Sequence, residues 1–177
     1  MQSLMPYMRK MGLAPKRSEP GILTRVIEGA IGGLVGTLTL QFLDSLSRRW
    51  APSTVPAEGD AGRFMVNQAE RALPEETRQR VPESAENAVA SSLGFGYGMT
   101  FGIVYGLIRP RGGSVMLEGA ALGLGCWAVG YLGWLPAAGL MDPVWRQNPA
   151  EVIGPAARHA LYGVATVATF EAIREHM

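Results

Sequence analysis

The residues from Asn87 to Ile108 carry no charged side chain, and glycine recurs among them at every fourth position. These glycines are Gly94, Gly98, Gly102 and Gly106. A helix of these 22 residues would be about 33 Å long, close to the roughly 30 Å hydrocarbon core of a bilayer. Glycines four residues apart share one helix face, on which a second helix can pack closely. The run therefore predicts a transmembrane helix that is buried on its glycine face.

Three other hydrophobic segments accompany this run, at residues 21–46, 114–140 and 150–173. Each is long enough to cross a bilayer as a helix. Small residues again recur at four-residue spacing in the first and third segments, which gives these helices matching faces for close packing. The residues predicted to pack the helices are Gly29, Gly33, Gly94, Gly98, Gly102, Gly106, Gly119 and Gly123. The sequence thus predicts an all-α fold over residues 21–175, an integral membrane four-helix bundle with glycine-rich helix interfaces.

Prolines and one asparagine predict where several of these helices begin and end. Pro52 is expected to stop the first helix and Pro82 to open the second. Asn148 is expected to cap the fourth helix, with Pro149 at its first position. The turn at residues 109–113 is short, so the second and third helices are predicted to be antiparallel neighbours.

A polar loop, residues 47–86, separates the first two segments. Within it Met65, Ala69, Ala72 and Leu73 recur at helical spacing, between a possible Asp60 cap and Pro74. This pattern predicts a short amphipathic helix. Such a helix can lie on the membrane surface or on a partner, or it can pack against the protein's own bundle. The sequence leaves both alternatives open.

The first and third segments share a short internal repeat. Residues Ile27–Ala30 match Leu117–Ala120 ninety positions later, and a Gly-Leu pair follows each match at the same distance. More loosely, Tyr97–Gly98 in the second segment resembles Tyr162–Gly163 in the fourth. Tandem two-helix repeats keep the same orientation, so a pseudo-twofold axis along the membrane normal is predicted.

Composition narrows the classes of function. Of the 177 residues, 47% are hydrophobic and only 18% charged, against roughly 25% charged in ordinary soluble domains. The net charge of +1 is too small to indicate a surface that binds nucleic acid, so nucleic acid is not expected as a partner. The single cysteine, Cys126, excludes an intrachain disulfide and a cysteine-based metal cluster. Residues 1–20 form a basic segment, and no small-residue cleavage signal follows the first apolar run, which is expected to be a retained anchor.

The distribution of basic residues predicts an orientation in the membrane. On one face lie Arg9, Lys10, Lys16, Arg17, Arg25, Arg109, Arg111 and Arg174. On the other face lie Arg48, Arg49, Arg63, Arg71, Arg78, Arg80, Arg146 and Arg158, partly within the long loop, whose charges count less. The positive-inside rule therefore favours cytoplasmic termini. Trp50, Trp134 and Trp145 fall on the opposite face, as an interfacial aromatic belt would.

Three glutamates, Glu28, Glu118 and Glu171, are predicted to lie at or just inside the membrane on the face of the termini. Ionisable groups at that depth are functional candidates, here as a proton or cation relay. The alternative is that each pairs with a nearby arginine at the headgroup boundary. The candidate partners are Arg25, Arg109, Arg111 and Arg174. The sequence is compatible with both interpretations.

The remaining polar residues do not form a catalytic pattern. His159 can hydrogen-bond locally or act as a pH sensor. Ser91, Ser92 and Thr100 have no histidine beside them that would make a nucleophile. No strand precedes the glycines of 94–98 and no Gly-Lys-Ser/Thr follows, which excludes a phosphate-binding loop. The sequence predicts no catalytic residue, no metal ligand and no cofactor, and therefore not an enzyme.

Several small-residue and aromatic motifs resemble the YagU-like bacterial inner-membrane proteins and their relatives. The motifs are Gly94–Gly98, Val104–Gly106, Gly133–Pro136, Gly139–Met141 and His159–Gly163. The resemblance covers roughly residues 20–175 and implies a multi-pass helical protein of the bacterial inner membrane with unassigned biochemistry, in a family of which one member is associated with acid resistance. Relatives often place a histidine just before the glycine run of the second helix, where this chain has Ser91 and Ser92.

The leading prediction is a small non-enzymatic multi-pass protein of the bacterial inner membrane that serves as a structural or accessory subunit of a membrane assembly. Its expected partners are the lipid bilayer and other membrane proteins or further copies of itself. The alternative is a proton- or ion-handling channel or transporter involved in acid stress, which would use the three glutamates.

Overall fold

The computed structural model of the protein describes residues 21–55, 61–72, 74–78, 80–109 and 113–176. Within these ranges the regular structure is helical and contains no β-strand, so the all-α prediction is confirmed. The α-helices are α1 (Ile22–Trp50), α2 (Ala61–Ala72), α3 (Glu75–Arg78), α4 (Glu83–Ile108), α5 (Val115–Trp127), α6 (Leu135–Ala137) and α7 (Pro149–His176). A π-helix (Ala128–Trp134) joins α5 to α6, and short 3-10 turns lie at Pro52–Thr54 and Val144–Arg146.

The local signals in the sequence coincide with the ends of the long helices. α1 ends at Trp50, two residues before Pro52, and α4 begins directly after Pro82. The side-chain oxygen of Asn148 accepts a hydrogen bond from the amide of Ala150 at 3.0 Å, which caps α7. These boundaries depend on neighbouring residues alone, so the sequence was sufficient to place them.

The long helices pack in the order α4, α1, α7 and α5. α1 lies between α4 and α7, and α7 lies in turn between α1 and α5. α4 and α5 are consecutive in the chain, but their backbones make few close contacts. Close backbone packing therefore joins three pairs of the long helices, which are α1 with α4, α1 with α7 and α5 with α7.

Glycine main chains form the contact between α1 and α4. A Cβ added to Gly102 would lie 2.8 Å from the Cα of Gly33, and one added to Gly33 would lie 2.7 Å from the Cα of Met99. One added to Gly29 would lie 2.9 Å from the Cα of Ile103. Only glycine fits at these positions, because any side chain would meet the backbone of the facing helix.

The contact between α5 and α7 repeats this geometry. A Cβ on Gly163 would lie 2.8 Å from the Cα of Gly123, and one on Gly123 would lie 2.9 Å from the Cα of Ala160. Each residue of α1 corresponds to the residue of α5 ninety positions later in the chain. Each residue of α4 corresponds to the residue of α7 sixty-one positions later. Gly163 therefore corresponds to Gly102, and the Tyr-Gly similarity noted in the sequence is displaced by one helical turn.

The contact between α1 and α7 has glycine on one side only. A Cβ on Gly32 would lie 2.7 Å from the carbonyl oxygen of Thr166, and one on Gly36 would lie 2.9 Å from the ring of Tyr162. The repeat places Leu122 and Cys126 of α5 at the positions that correspond to these two glycines. Larger side chains at these positions keep α5 away from α4.

Aromatic side chains fill the space between α4 and α5. The hydroxyl of Tyr97 donates to the carbonyl oxygen of Cys126 at 3.3 Å, and its ring lies 6.3 Å from that of Trp134. Eight residues further along α4, Tyr105 donates to Glu118, eight residues earlier in α5. This register shows that the two helices are antiparallel. They are neighbours through their side chains, and the glycine face of α4 is directed at α1.

α5 loses regular α-helical geometry near its end. At Gly133 in the π-helix the backbone has φ −103° and ψ −105°, outside the helical region. Pro136 follows, and proline removes the amide that would donate to the preceding turn. Tyr131 from this segment packs with Leu135 and Met141 in a buried cluster. The irregular segment thus projects an aromatic side chain toward the other helices.

Large aliphatic side chains lie on the outside of the protein and small or polar ones lie inside. In α1 the buried residues are Glu28, Gly29, Gly32, Gly33, Gly36 and Thr37. The exposed ones include Ile27, Ile31, Leu34, Leu38 and Phe42, between 38% and 66% accessible. Two helical stretches, Ile22–Trp50 and Val115–Ala137, are long and apolar enough to cross a membrane.

The amphipathic helix predicted in the polar loop is α2, and it packs on the protein itself. Val66 is buried, and a Cβ on Gly62 would lie 3.3 Å from the Cα of Ala90 in α4. Beside this contact, hydrogen bonding to Glu70 raises the pKa of Glu86, so Glu86 holds its proton more readily than an ordinary glutamate. Of the two alternatives for this helix, the structure shows packing against the protein's own bundle. Asp60, the expected cap, and Leu73, the last residue of the predicted apolar stripe, lie outside the described residues.

Candidate functional site

Two of the three candidate glutamates meet at one arginine. Arg109, just after α4, has its Nε 3.6 Å from the carboxylate of Glu118, and its Nη1 forms an ion pair with Glu171. The hydroxyl of Tyr105 donates to the same Glu118 carboxylate. Arg109 is 9% exposed at its side chain, so this network is largely shielded from the surroundings.

The third glutamate lies deeper and faces a different arginine. Glu28 is 2% exposed, and its Oε2 lies 3.9 Å from Nε of Arg174. The ring of Phe170 connects the two groups, because the guanidinium carbons of Arg109 and Arg174 lie 5.6 and 5.4 Å from its centroid. The three glutamates and two arginines therefore form one layer at the end of the bundle near the first residue of α1. We call this layer the glutamate cluster.

Each glutamate of the cluster faces an arginine, which is the arrangement expected for structural ion pairs. Of the other candidate partners, Arg25 donates to the carbonyl oxygens of Gly106 and Leu107 at 2.8 and 2.7 Å, where it satisfies the end of α4. Arg111 lies outside the described residues. For Glu118 and Glu171, which share Arg109, the geometry favours a stabilising role over a relay.

His159 lies away from the glutamate cluster, toward the other end of α7. Its Nδ1 is 2.9 Å from the carbonyl oxygen of Pro155, which can only accept, so Nδ1 carries the proton. Its ring lies 6.2 Å from that of Tyr131 and 6.4 Å from that of Tyr162. The local hydrogen bond is the simpler of the two roles considered from the sequence. The structure does not bring this histidine together with the three glutamates.

A second buried ion pair, which the sequence reasoning missed, lies near His159. The Nε of Arg158 is 2.6 Å from the carboxylate of Asp44, and Arg158 is 7% exposed. Its remaining nitrogens donate to the hydroxyls of Ser47 and Thr54 at 3.3 Å and to the carbonyl oxygen of Thr54 at 3.0 Å. One signal could have found the pair, since Asp44 and Arg158 are opposite charges inside two predicted spans.

This ion pair borders a cavity of about 90 Å³. The cavity lies among α1, α4, the π-helix and α7, and residues 55 and 62 also line it. Its lining residues are Thr37, Leu40, Gln41, Asp44, Arg48, Val55, Gly62, Gly94, Tyr97, Tyr131, Pro155, Arg158 and His159. Both polar and apolar side chains line the space, which is the usual composition of a small-molecule site.

Gly94 differs in its surroundings from the other glycines predicted to pack helices. A Cβ there would meet no atom within 4 Å, whereas one on Gly98 would lie 3.4 Å from the ring of Tyr162. Gly94 lines the cavity and contacts no facing helix backbone. The expectation that the whole glycine run packs is corrected at this position, because α1 and α4 touch closely only from Gly98 onward.

The described residues contain no group of three or more His, Cys, Asp or Glu side chains that could hold a metal ion. Cys126 is buried and carries a free thiol.

No protein-family model matches the chain, and the searches of curated proteins and of solved structures return no similar protein. The resemblance to the YagU-like proteins stays a prediction from the motifs.

Proposed function

We propose that this chain is a small multi-pass protein of the bacterial inner membrane, a four-helix bundle without enzymatic activity that serves a membrane assembly as a structural or accessory subunit. One observation carries the proposal. The four long helices direct glycine, threonine, tyrosine and several charged side chains inward, together with Phe170, and leave many isoleucine and leucine side chains and Phe42 exposed. In water this arrangement would be unfavourable, since burying one such aliphatic side chain is worth roughly 1.5–3 kcal/mol.

The glycine contacts fit the same environment. Lipid provides no hydrophobic force between helices, so small residues that let backbones approach are the usual basis of association in membranes. In water each glycine would weaken its helix by roughly 1 kcal/mol relative to alanine. A bilayer enforces the helix, because unpaired backbone groups are costly there.

The positions of the charges also suit a bilayer. On α1, Glu28 and Asp44 are sixteen residues apart, or about 24 Å along the helix. Between these two levels the uncharged stretches 29–43, 87–108 and 160–170 lie side by side, as the Gly33–Gly98 and Gly32–Thr166 contacts require. An uncharged layer of this thickness bounded by ion pairs is close to the hydrocarbon core of a membrane. We propose that the termini face the cytoplasm.

Aspartate in place of Leu38 tests membrane insertion. Leu38 is 51% exposed at the middle of α1. If α1 spans the bilayer, a carboxylate there should reduce incorporation sharply, since a charge at a helix centre costs roughly 2.5–3.5 kcal/mol. In a water-soluble protein the same exposed position would tolerate aspartate. The readout is the fraction of protein that stays in the membrane after an alkaline carbonate wash.

The matched control is Leu23→Asp, at a leucine that is 72% exposed in the first turn of the same helix. It should incorporate like the unchanged protein, because this position lies at the membrane surface in the proposed orientation. Equal incorporation of the Leu38 and Leu23 variants would count against a membrane-spanning α1.

Proton or ion handling by Glu28, Glu118 and Glu171 in acid stress is the second candidate, and the burial of Glu28 inside the bundle favours it. The accessory role predicts that the tagged protein co-purifies with a larger complex in mild detergent, and that Glu28→Gln and Glu118→Gln leave this association intact. Transport predicts proton flux in liposomes that contain the protein alone, and loss of that flux in the same variants. Flux without a stable partner would replace the accessory proposal.

A further inference from the structure

We propose that the cavity beside the Asp44–Arg158 ion pair is a binding site for a small monocarboxylate. This goes beyond the proposed role in a membrane assembly and does not depend on it. A water molecule occupies about 30 Å³ in the liquid, so a cavity of about 90 Å³ accommodates a ligand of a few non-hydrogen atoms.

The charges around the cavity leave one positive group in excess. Three charged side chains line it, those of Asp44, Arg48 and Arg158. Arg158 is engaged by Asp44, Ser47 and Thr54. None of the described carboxylates forms an ion pair with Arg48. Arg48 is exposed at the rim of the cavity, where its guanidinium attracts an anion toward the partly enclosed space.

Arg48 and Gln41 are placed to bind the two oxygens of a carboxylate. They are seven residues apart on α1, two turns along the same helix face, and both line the cavity. A guanidinium offers parallel N–H donors that match a planar carboxylate, and the amide of Gln41 adds two more. Two other donors in the lining are already used, since Thr37 donates to Gly33 and Tyr97 to Cys126.

The apolar part of the lining selects the rest of the ligand. Leu40, Val55 and Pro155 contribute aliphatic surface to the same cavity. A methyl or ethyl group can occupy that surface while the carboxylate binds Arg48, which a spherical inorganic anion cannot do. The combination points to a short-chain monocarboxylate such as acetate or propionate.

The site can be tested with the purified full chain in detergent micelles. The probe is trifluoroacetate, whose binding is followed by ¹⁹F NMR line broadening and reversed by competition with acetate. We expect saturable binding to the unchanged protein. Absence of saturable binding overturns the proposal, and chloride competing as well as acetate overturns the assignment to a carboxylate.

Two pairs of matched variants locate the site. Gly94→Leu fills the cavity, and Gly96→Leu places the same side chain two residues away, where a Cβ likewise meets no atom within 4 Å. Arg48→Gln removes the positive group, and Arg49→Gln removes the neighbouring one, which lies 5.9 Å from the ring of Trp50. Gly94→Leu and Arg48→Gln should each lose at least tenfold in affinity, and the two controls should stay within twofold.

Thermal unfolding of all four variants checks that loss of binding is not loss of fold. If one test variant fails to fold, the other still decides the outcome. Binding at the unchanged level in a folded Gly94→Leu or Arg48→Gln variant overturns the proposal.

Discussion

Replacing Gly102 by alanine is expected to destabilise the protein by about 3 kcal/mol, the upper part of the range for overpacking. The new Cβ would lie 2.8 Å from both the Cα and the amide nitrogen of Gly33. These are main-chain atoms of α1, so they cannot rotate away as a flexible side chain could. The measurement is thermal unfolding in mild detergent, followed by circular dichroism.

Gly96→Ala on the same helix is the matched control. A Cβ there meets no atom within 4 Å, and alanine favours a helix over glycine by up to about 1 kcal/mol. This variant should be as stable as the unchanged protein or slightly more stable. Equal losses at Gly96 and Gly102 would mean that glycine at these positions matters for flexibility and not for helix contact.

Replacing Arg109 by leucine is expected to cost about 3–5 kcal/mol, the range found when one partner of a buried ion pair is removed. The change leaves the carboxylates of Glu118 and Glu171 close together without the guanidinium that lies between them. Unfolding in the same detergent measures the loss. Arg49→Leu is the control, because Arg49 lies at the exposed end of α1 and makes no ion pair with a described carboxylate.

A rescue experiment separates charge from packing at this site. Changing Glu118 and Glu171 to glutamine in the Arg109→Leu background removes the two negative charges while keeping their size. Most of the lost stability should return if electrostatics is responsible. Stability that stays low would instead assign the effect to the contact of Arg109 with the ring of Phe170, which is 5.6 Å away.

Signals that depend on neighbouring residues were sufficient to predict the helices. The uncharged runs predicted where the long helices lie. Pro52, Pro82 and Asn148 act within one helical turn, so they predicted the ends of α1, α4 and α7 within a few residues. The all-α class followed directly. The π-helix after α5 was not predicted, although Gly133 and Pro136 are residues that permit or force such an irregularity.

The partner of each glycine could not be predicted, because it depends on how distant helices cross. Gly94 and Gly98 belong to the same four-residue glycine pattern on α4. Of the two, only Gly98 has another helix close to its Cα. The ion-pair partners of the charged residues could not be predicted for the same reason. The sequence offered Arg25 as a partner for the glutamates, but Arg25 binds the carbonyl oxygens at the end of α4. Asp44 and Arg158 were missed because their approach requires α1 and α7 to pack side by side.

The repeated glycine contact has a consequence for the history of this chain. Equivalent positions are separated by ninety residues in the first helices of the two pairs and by sixty-one in the second helices. The connection inside the first pair is therefore twenty-nine residues longer than that inside the second. That surplus corresponds to the segment that contains α2 and α3. Apart from this segment the two helix pairs pack in the same register, which is the pattern that duplication of a helical hairpin would leave.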